Sequence, residues 1–281
     1  MEKHSYSNAL SRAFLILEDH NVDSEVANYL MCELLNWSPS KLSIHKNDLM
    51  DDSSYNQFMK MIEQAKENIP PQYILGKAWF YGREFKVTTK TLIPRQETEE
   101  LVNKVISDLE DAKDLSILDI GTGSGNIAVT LALETNQEVT AIDIDADTLE
   151  IAKENATNLD AKVEFLKSDL FDNVDQKFDV IVSNPPYISE EEIKDMDKSV
   201  LEYEPLKALF ADDNGLAVYK KIFTQISDYL NPSGVAYFEY GFQQKEVLSE
   251  YISKHLPEFA VEFYRDMSGN WRYLKMYRKN D

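Results

Sequence analysis

The chain of 281 residues holds a single cysteine, Cys32, so neither a disulfide framework nor a cysteine-based zinc cluster can form. The four histidines, His4, His20, His45 and His255, are scattered without metal-ligand spacing, and no metal is expected. No apolar run approaches the roughly 20 residues that cross a bilayer. Met1 to Ser11 is polar and charged where a signal peptide requires an apolar stretch, so a cytoplasmic address without membrane association is expected. Positive charge is also scarce: 29 Lys and Arg stand against 50 Asp and Glu, for a net charge of −21. Adjacent basic residues occur only at Lys220-Lys221 and Arg278-Lys279. Proteins that grip long stretches of DNA or RNA carry a basic footprint, so no direct nucleic-acid binding is expected. The acidity suits solubility or a basic protein partner and does not choose between them. Nothing signals oligomerisation, and a monomer is the default expectation.

What is present divides by texture. Residues 5 to about 70 read as helical: Leu10, Phe14 and Leu17 recur at helical spacing, as do Tyr55, Phe58, Met59, Ile62 and Ala65. Asp23-Ser24 is positioned to cap a helix carrying Val26, Tyr29, Leu30 and Leu34, and Pro70-Pro71 closes the region. Ala78 to Leu92, rich in aromatic and β-branched residues around Gly82, reads as a β-hairpin. These boundaries give a helical domain over 1–72, a hairpin linker over 73–93 and a third region over 94–281. From Ser116 onward short apolar strands (117–120, 139–142, 163–166, 178–182 and 235–238) alternate with amphipathic helices such as 127–134 and 146–158. That alternation predicts a parallel sheet covered on both faces. Two late strands, 260–264 and 272–276, flank Ser268-Gly269-Asn270 as a closing hairpin.

The first strand runs into Asp119-Ile-Gly121-Thr122-Gly123-Ser124-Gly125-Asn126, with a helix following. Glycines here let the backbone turn tightly and approach a ligand beyond the carboxyl ends of parallel strands. The G-x-G-x-G spacing is neither the G-x-G-x-x-G of dinucleotide sites nor a loop ending in Gly-Lys-Ser/Thr; with Asp119 before it, it points to S-adenosylmethionine. Asp143, ending the next strand, can accept both ribose hydroxyls. Asp169-Leu170, after the third, is placed to meet the adenine. Asp145 reads as a helix cap.

The fourth strand ends in Asn184-Pro185-Pro186-Tyr187. An amide nitrogen, or the exocyclic amine of a base, is planar because its lone pair is delocalised, and it is a poor nucleophile for the same reason. Acceptors on its N–H groups favour the charge that develops during attack. Asn184 offers a side-chain carbonyl, Pro185 a fixed backbone carbonyl, and Tyr187 an aromatic face for a flat substrate group. Asn184, Pro185 and Tyr187 are therefore the expected catalytic residues, with Pro186 completing the substrate contact. No general base is evident; the proton can leave after transfer, when the nitrogen has become acidic.

These residues, together with Pro71-Gln-Tyr-Ile-Leu-Gly76, Phe80-Tyr-Gly82, Leu92-Ile-Pro-Arg-Gln-Glu-Thr-Glu99, Glu204-Pro205 before Ala208-Leu209, and Tyr240-Gly241-Phe-Gln-Gln244, resemble the protein-(glutamine-N5) methyltransferases of peptide-chain release factors, the PrmC/HemK family. The similarity covers nearly the whole chain; Gln96 departs from it where the family usually has proline. The resemblance implies a class I S-adenosylmethionine-dependent methyltransferase fold, Rossmann-like, with a small all-α N-terminal domain that helps recognise the substrate. It implies methylation of the glutamine in the Gly-Gly-Gln motif of class-1 release factors, an event of translation termination. It further implies that Gly121–Gly125, Asp143, Leu170 and Asn184 contact the cofactor and Asn184–Tyr187 the glutamine, with S-adenosylhomocysteine as product. Arg95 and Glu97 are expected near the cleft. The same tetrapeptide serves adenine-N6 methyltransferases of DNA or RNA, which require a basic groove that this sequence lacks; a binding protein of this fold without turnover is the remaining alternative.

Overall fold

In the computed structural model, residues 4–279 are described; Met1–Lys3 and residues 280–281, the ends of the expected outer domains, lie outside them. The chain divides into two compact units, one of residues 1–77 with 197–203, the other of residues 78–196 with 204–281. The first division falls five residues beyond the expected 72, and the helical unit also takes in a short segment from later in the sequence, residues 197–203.

The first unit is built from helices Tyr6–Asp19, Glu25–Leu35, Pro39–His45, Asp52–Ala65 and Pro71–Leu75. Three of them start where a short polar side chain accepts an otherwise unpaired backbone N–H: Ser5 from Asn8, Ser38 from Lys41 and Asp51 from Ser54. At the second helix the side-chain acceptor is Asp23, which takes the N–H of Glu25 at 2.9 Å. Apart from Tyr29, the positions read from helical spacing meet in one core, with Leu17, Leu30, Phe58 and Ile62 fully buried and Cys32 packed at its margin. The later segment carries the helix Lys198–Tyr203, whose last side chain donates its hydroxyl hydrogen to the Glu67 carbonyl at 2.8 Å.

A hairpin of β1 (Lys77–Phe80), which starts at the last residue of the first unit, and β2 (Arg83–Lys86) opens the second unit, followed by the helix Gln96–Asp108. Its main sheet comprises β3 (Ser116–Ile120), β4 (Glu138–Asp143), β5 (Val163–Lys167), β6 (Phe178–Ser183), β7 (Leu230–Glu239), β8 (Phe259–Arg265) and β9 (Trp271–Arg278). The spatial order is β5-β4-β3-β6-β7-β9-β8. The first five strands pair in parallel, and β9 pairs antiparallel with both β7 and β8. All seven expected strands form. The expected 235–238 is the end of a longer β7 whose Asn231-Pro-Ser-Gly234 segment introduces a register irregularity against β6. The helices Asn126–Thr135, Ala146–Asn158, Ala217–Tyr229 and Lys245–His255 complete the unit.

Strand period decides which side chain meets which cover. Ile117, Val180, Val182 and Tyr237 pack under the helices Gln96–Asp108 and Asn126–Thr135. Their immediate neighbours Leu118, Ile181, Ala236 and Phe238 pack under Ala217–Tyr229 and Lys245–His255. One polar side chain stitches the hairpin to this body. Asn155, 1% exposed, accepts the Lys86 N–H at 2.7 Å and donates to the carbonyls of Lys86 and Ser124 at 3.0 and 2.8 Å. Asn155→Ala strands these backbone groups and is expected to lower stability by about 2–3 kcal/mol, read from urea denaturation. A change below about 0.5 kcal/mol, the range of inert surface substitutions, would show the stitch to be dispensable.

Candidate active site

Because β3, β4, β5 and β6 run parallel, their carboxyl ends converge on one edge of the sheet, and the singled-out residues are there. The loop after β3 is anchored by its backbone: the N–H groups of Gly121 and Thr122 both donate to the Ile142 carbonyl at 2.9 Å. Gly121, Gly123 and Gly125 all have positive φ. At Gly121 and Gly123 nothing lies within 4 Å of the place a Cβ would occupy, so the loop borders open space. At Gly125, where φ is +82°, a Cβ would stand 3.1 Å from that of Ala152, a tight approach to the helix Ala146–Asn158. Thr122 and Ser124 are buried. The Thr122 hydroxyl donates to Asp119 at 2.6 Å and the Ser124 hydroxyl to Asn126 Oδ1 at 3.2 Å, so both side chains are engaged within the protein. Burial pushes Asp119 up to about 7, against the lowering effect of the Thr122 hydrogen bond.

Asp143 ends β4 beside the loop. Its Oδ2 accepts from Gly123 N at 3.1 Å and its Oδ1 from Asp145 N at 3.0 Å, while burial raises its pKa. Two oxygens with two lone pairs each retain capacity for ligand hydroxyls. Asp145 caps the helix Ala146–Asn158 by accepting from the N–H groups of Asp147 and Thr148, as its position in the sequence suggested. Beyond β5, Asp169 is exposed and Leu170 takes the left-handed conformation, φ +48°. An open glycine cradle next to a carboxylate on the adjacent strand is a donor and acceptor set that suits a nucleoside with a charged amino-acid tail, as S-adenosylmethionine has.

β6 lies on the other side of β3, tied to it by the Ser183 hydroxyl donating to the Ile120 carbonyl at 2.7 Å. Pro185 is buried, and Asn184, Pro186 and Tyr187 are partly exposed. The Tyr187 backbone is held firmly. Its carbonyl accepts from the Gln244 amide at 2.9 Å, and Ile188 forms a parallel bridge with Phe210. Asp213, Asn214 and Gly215 are three consecutive left-handed residues, and a Cβ on Gly215 would stand 2.0 Å from the Tyr187 carbonyl oxygen.

Two residues beside the tetrapeptide carried no assigned role in the sequence reading. Glu239, 1% exposed at the end of β7, accepts from the Thr98 hydroxyl at 2.7 Å and from the Tyr187 hydroxyl at 3.3 Å. Thr98 in turn receives the Asn184 amide N–H at 3.2 Å. Burial pushes Glu239 up to about 7, opposed by the Thr98 hydrogen bond and the nearby Arg272 charge. Burial also raises Tyr187 well above the ordinary tyrosine range. The detectable signal was an acid within the apolar run Val235-Ala-Tyr-Phe-Glu-Tyr240. Arg95, expected near the cleft, pairs with Glu204 at 2.5 Å. The Glu204 side chain is buried and also accepts from Ile93 N at 3.2 Å, so Glu204-Pro205 pins the Ile-Pro-Arg loop.

Comparison with known proteins places this arrangement. Residues 98–203 match the Methyltransferase small domain, and residues 8–76 match the PrmC N-terminal domain. A methyltransferase from Pyrococcus furiosus superposes with a TM-score of 0.54 at 19% identity, covering 82% of this chain and all of that one. A Thermus thermophilus 16S rRNA methyltransferase, solved with AdoMet and guanosine, gives 0.53 at 18% identity, covering 72% of this chain and 50% of that one. The fold is that of the class I methyltransferases, a class that uses S-adenosylmethionine. A release factor glutamine methyltransferase of Enterococcus faecalis is 39% identical over 269 residues, 95% of this chain and 97% of its own length. That of Streptococcus pneumoniae is 45% identical over 218 residues, covering 77% and 78%. The chain belongs to the release factor glutamine methyltransferase family.

Gly215→Ala tests the support beneath the tetrapeptide. The added Cβ must displace the Tyr187 carbonyl or the turn, in a conformation L side chains rarely adopt. The melting temperature is expected to fall by at least about 5 °C; an unchanged melt would show that the turn relaxes freely.

Proposed function

We propose that this protein transfers a methyl group from S-adenosylmethionine to the side-chain amide nitrogen (N5) of the glutamine in the Gly-Gly-Gln motif of class-1 release factors. The observation that carries the reading is an amide-acceptor tetrapeptide at the end of β6, next to the glycine loop of β3, in a chain similar to release factor glutamine methyltransferases over almost its full length. When bound, the cofactor supplies an electrophilic sulfonium methyl. Backbone groups of Gly121, Thr122, Gly123, Ser124 and Gly125 cradle its tail, Asp143 accepts its ribose hydroxyls, and Asp169 and Leu170 border its adenine.

At the reacting end, the Asn184 side-chain oxygen and the Pro185 carbonyl accept the two N–H groups of the glutamine amide. Holding both hydrogens aims the nitrogen lone pair along the axis of the breaking S–C bond and favours the positive charge that grows on nitrogen. Pro186 shapes the turn, and the Tyr187 ring packs against the flat amide. The N–C bond forms as the S–C bond breaks, leaving the thioether S-adenosylhomocysteine, and the nitrogen then loses a proton to solvent. The helical first unit supplies recognition of the release factor, and the acidic chain suits a basic surface on that partner. The protein works as a cytoplasmic monomer that does not bind nucleic acid directly.

The deciding experiment offers labelled S-adenosylmethionine with a purified release factor, the same factor with its Gly-Gly-Gln glutamine replaced, and adenine-containing DNA. Label is expected on the intact factor alone; label on DNA would establish adenine-N6 methylation instead. Asn184→Ala is expected to reduce transfer by at least about 100-fold, since it removes an acceptor at the reacting nitrogen. Asp143→Ala is expected to weaken cofactor binding at least about tenfold in a calorimetric titration, and an unaltered affinity would refute the ribose assignment.

A further inference from the structure

Strand period and one covering helix place three polar groups together. Val180 and Val182 share one face of the sheet with Tyr237, and Asn184 and Glu239 continue that alternation. They stand one step beyond the paired Ser183 and Phe238, and the helix Gln96–Asp108, which covers this face, brings Thr98 between them. The hydrogen-bond chain runs Asn184 to Thr98 to Glu239, with Tyr187 donating to the second carboxylate oxygen.

We propose that Thr98 and Glu239 are positioning residues which fix the Asn184 carboxamide with its oxygen, and not its NH₂, toward the nitrogen to be methylated. An amide side chain has two ends of nearly equal shape and opposite polarity. Rotated by half a turn, Asn184 would present donors to a substrate NH₂ that needs acceptors. An ionised carboxylate accepts only, so the one Thr98 hydroxyl hydrogen is committed to Glu239. The Thr98 oxygen is left able only to accept, and the group it accepts is the Asn184 N–H at 3.2 Å. The opposite rotamer would set two oxygens against each other with no hydrogen between them. Polarity is thus passed from a buried acid through a hydroxyl to the acceptor at the reacting atom, and neither Thr98 nor Glu239 touches the substrate.

The protonation state of Glu239 enters this arrangement. The titratable and charged groups facing it are Glu97 on the covering helix, Tyr187 after β6, Tyr219 on the helix Ala217–Tyr229, which donates to the Glu239 carbonyl, and Arg272 on β9. Above its shifted pKa the carboxylate can only accept. Below it, the carboxyl can donate to Thr98, whose hydrogen is then free to turn toward Asn184, and the preference for one amide rotamer is lost.

The inference rests on the proposed methyl transfer and is tested separately from it with the full-length enzyme and a purified release factor. Thr98→Val is expected to lower kcat about 10- to 100-fold while KM for the release factor and the affinity for S-adenosylmethionine stay within about threefold. Thr98→Ser, which restores the hydroxyl, is expected to return kcat to within about threefold of the unaltered enzyme. A Val variant turning over at the normal rate, or a Ser variant as impaired as Val, overturns the proposal. The unaltered enzyme is expected to lose kcat as pH falls through about 7 at saturating cofactor. Glu239→Gln keeps an acceptor oxygen for Thr98 but does not titrate, and its kcat is expected to be flat across that interval. Should the Val variant fail to fold, this pH profile decides, and an acid limb unchanged in Glu239→Gln overturns the proposal. Asn184→Ala separates the two levels. If it is inactive while Thr98→Val is normal, only the positioning role fails; if it turns over normally, the reading of the tetrapeptide fails.

Discussion

The parallel pairing of β3 with β4 on one side and β6 on the other is the constraint from which the site follows. Parallel strands deliver their carboxyl ends to the same edge, about 4.8 Å apart. The glycine loop leaving β3 therefore has Asp143 on one flank and Asn184 on the other, although those two lie 41 positions apart in sequence. No long-range side-chain contact has to be invented to bring the cradle and the tetrapeptide together. Local hydrogen bonds do it: the Ile142 carbonyl accepts from the backbone N–H groups of Gly121 and Thr122, and the Ile120 carbonyl accepts from the Ser183 hydroxyl.

The same edge is where this unit keeps its most deeply buried acids. Asp119 and Glu239 are both fully withdrawn from water, and both are pushed up to about 7 by that withdrawal. A carboxylate in such a place is destabilising unless hydroxyls and N–H groups surround it. Each of these two takes a threonine hydroxyl, Thr122 in one case and Thr98 in the other. The arrangement orders the first turn of the glycine loop and the start of the helix Gln96–Asp108. Stability is given up locally, and the shape of the reactive edge is fixed in return.

What could be read from the sequence follows from how local each signal is. The strands from β3 to β6, the helix Ala146–Asn158, the cap at Asp145 and both loops of the candidate site announce themselves over a few residues, through alternation, glycine spacing and proline. The helical unit was equally plain, because Leu10, Leu17, Phe58 and Ile62 keep a helical period. Features that depend on partners far along the chain were not legible. Asn155 looks like any polar residue on an amphipathic helix until the hairpin arrives at Lys86. Glu204 becomes the anchor of Arg95 only once residues 109 positions apart are adjacent. Thr98 lay inside a noted motif, but its role exists only in company with Glu239 and Asn184. The assignment of residues 197–203 to the helical unit had no sequence signal at all, since nothing in that mixed stretch of charged and apolar residues marks a boundary.

The uneven register of β7 has a consequence for how this sequence can drift. Between the pairs Phe178–Leu230 and Val180–Val235, β7 holds three more residues than β6, accommodated at Asn231-Pro-Ser-Gly234 and fastened where the Asn231 amide donates to Asp179 at 2.7 Å. Length there is already slack, so an inserted or lost residue can be absorbed before the strand regains its pairing. From Val235 to Glu239 it cannot. A shift of one residue would send Tyr237 and Glu239 to the opposite face and bring Phe238 beneath Thr98. The strand is thus tolerant of length before Val235 and held to a fixed count from there to Glu239.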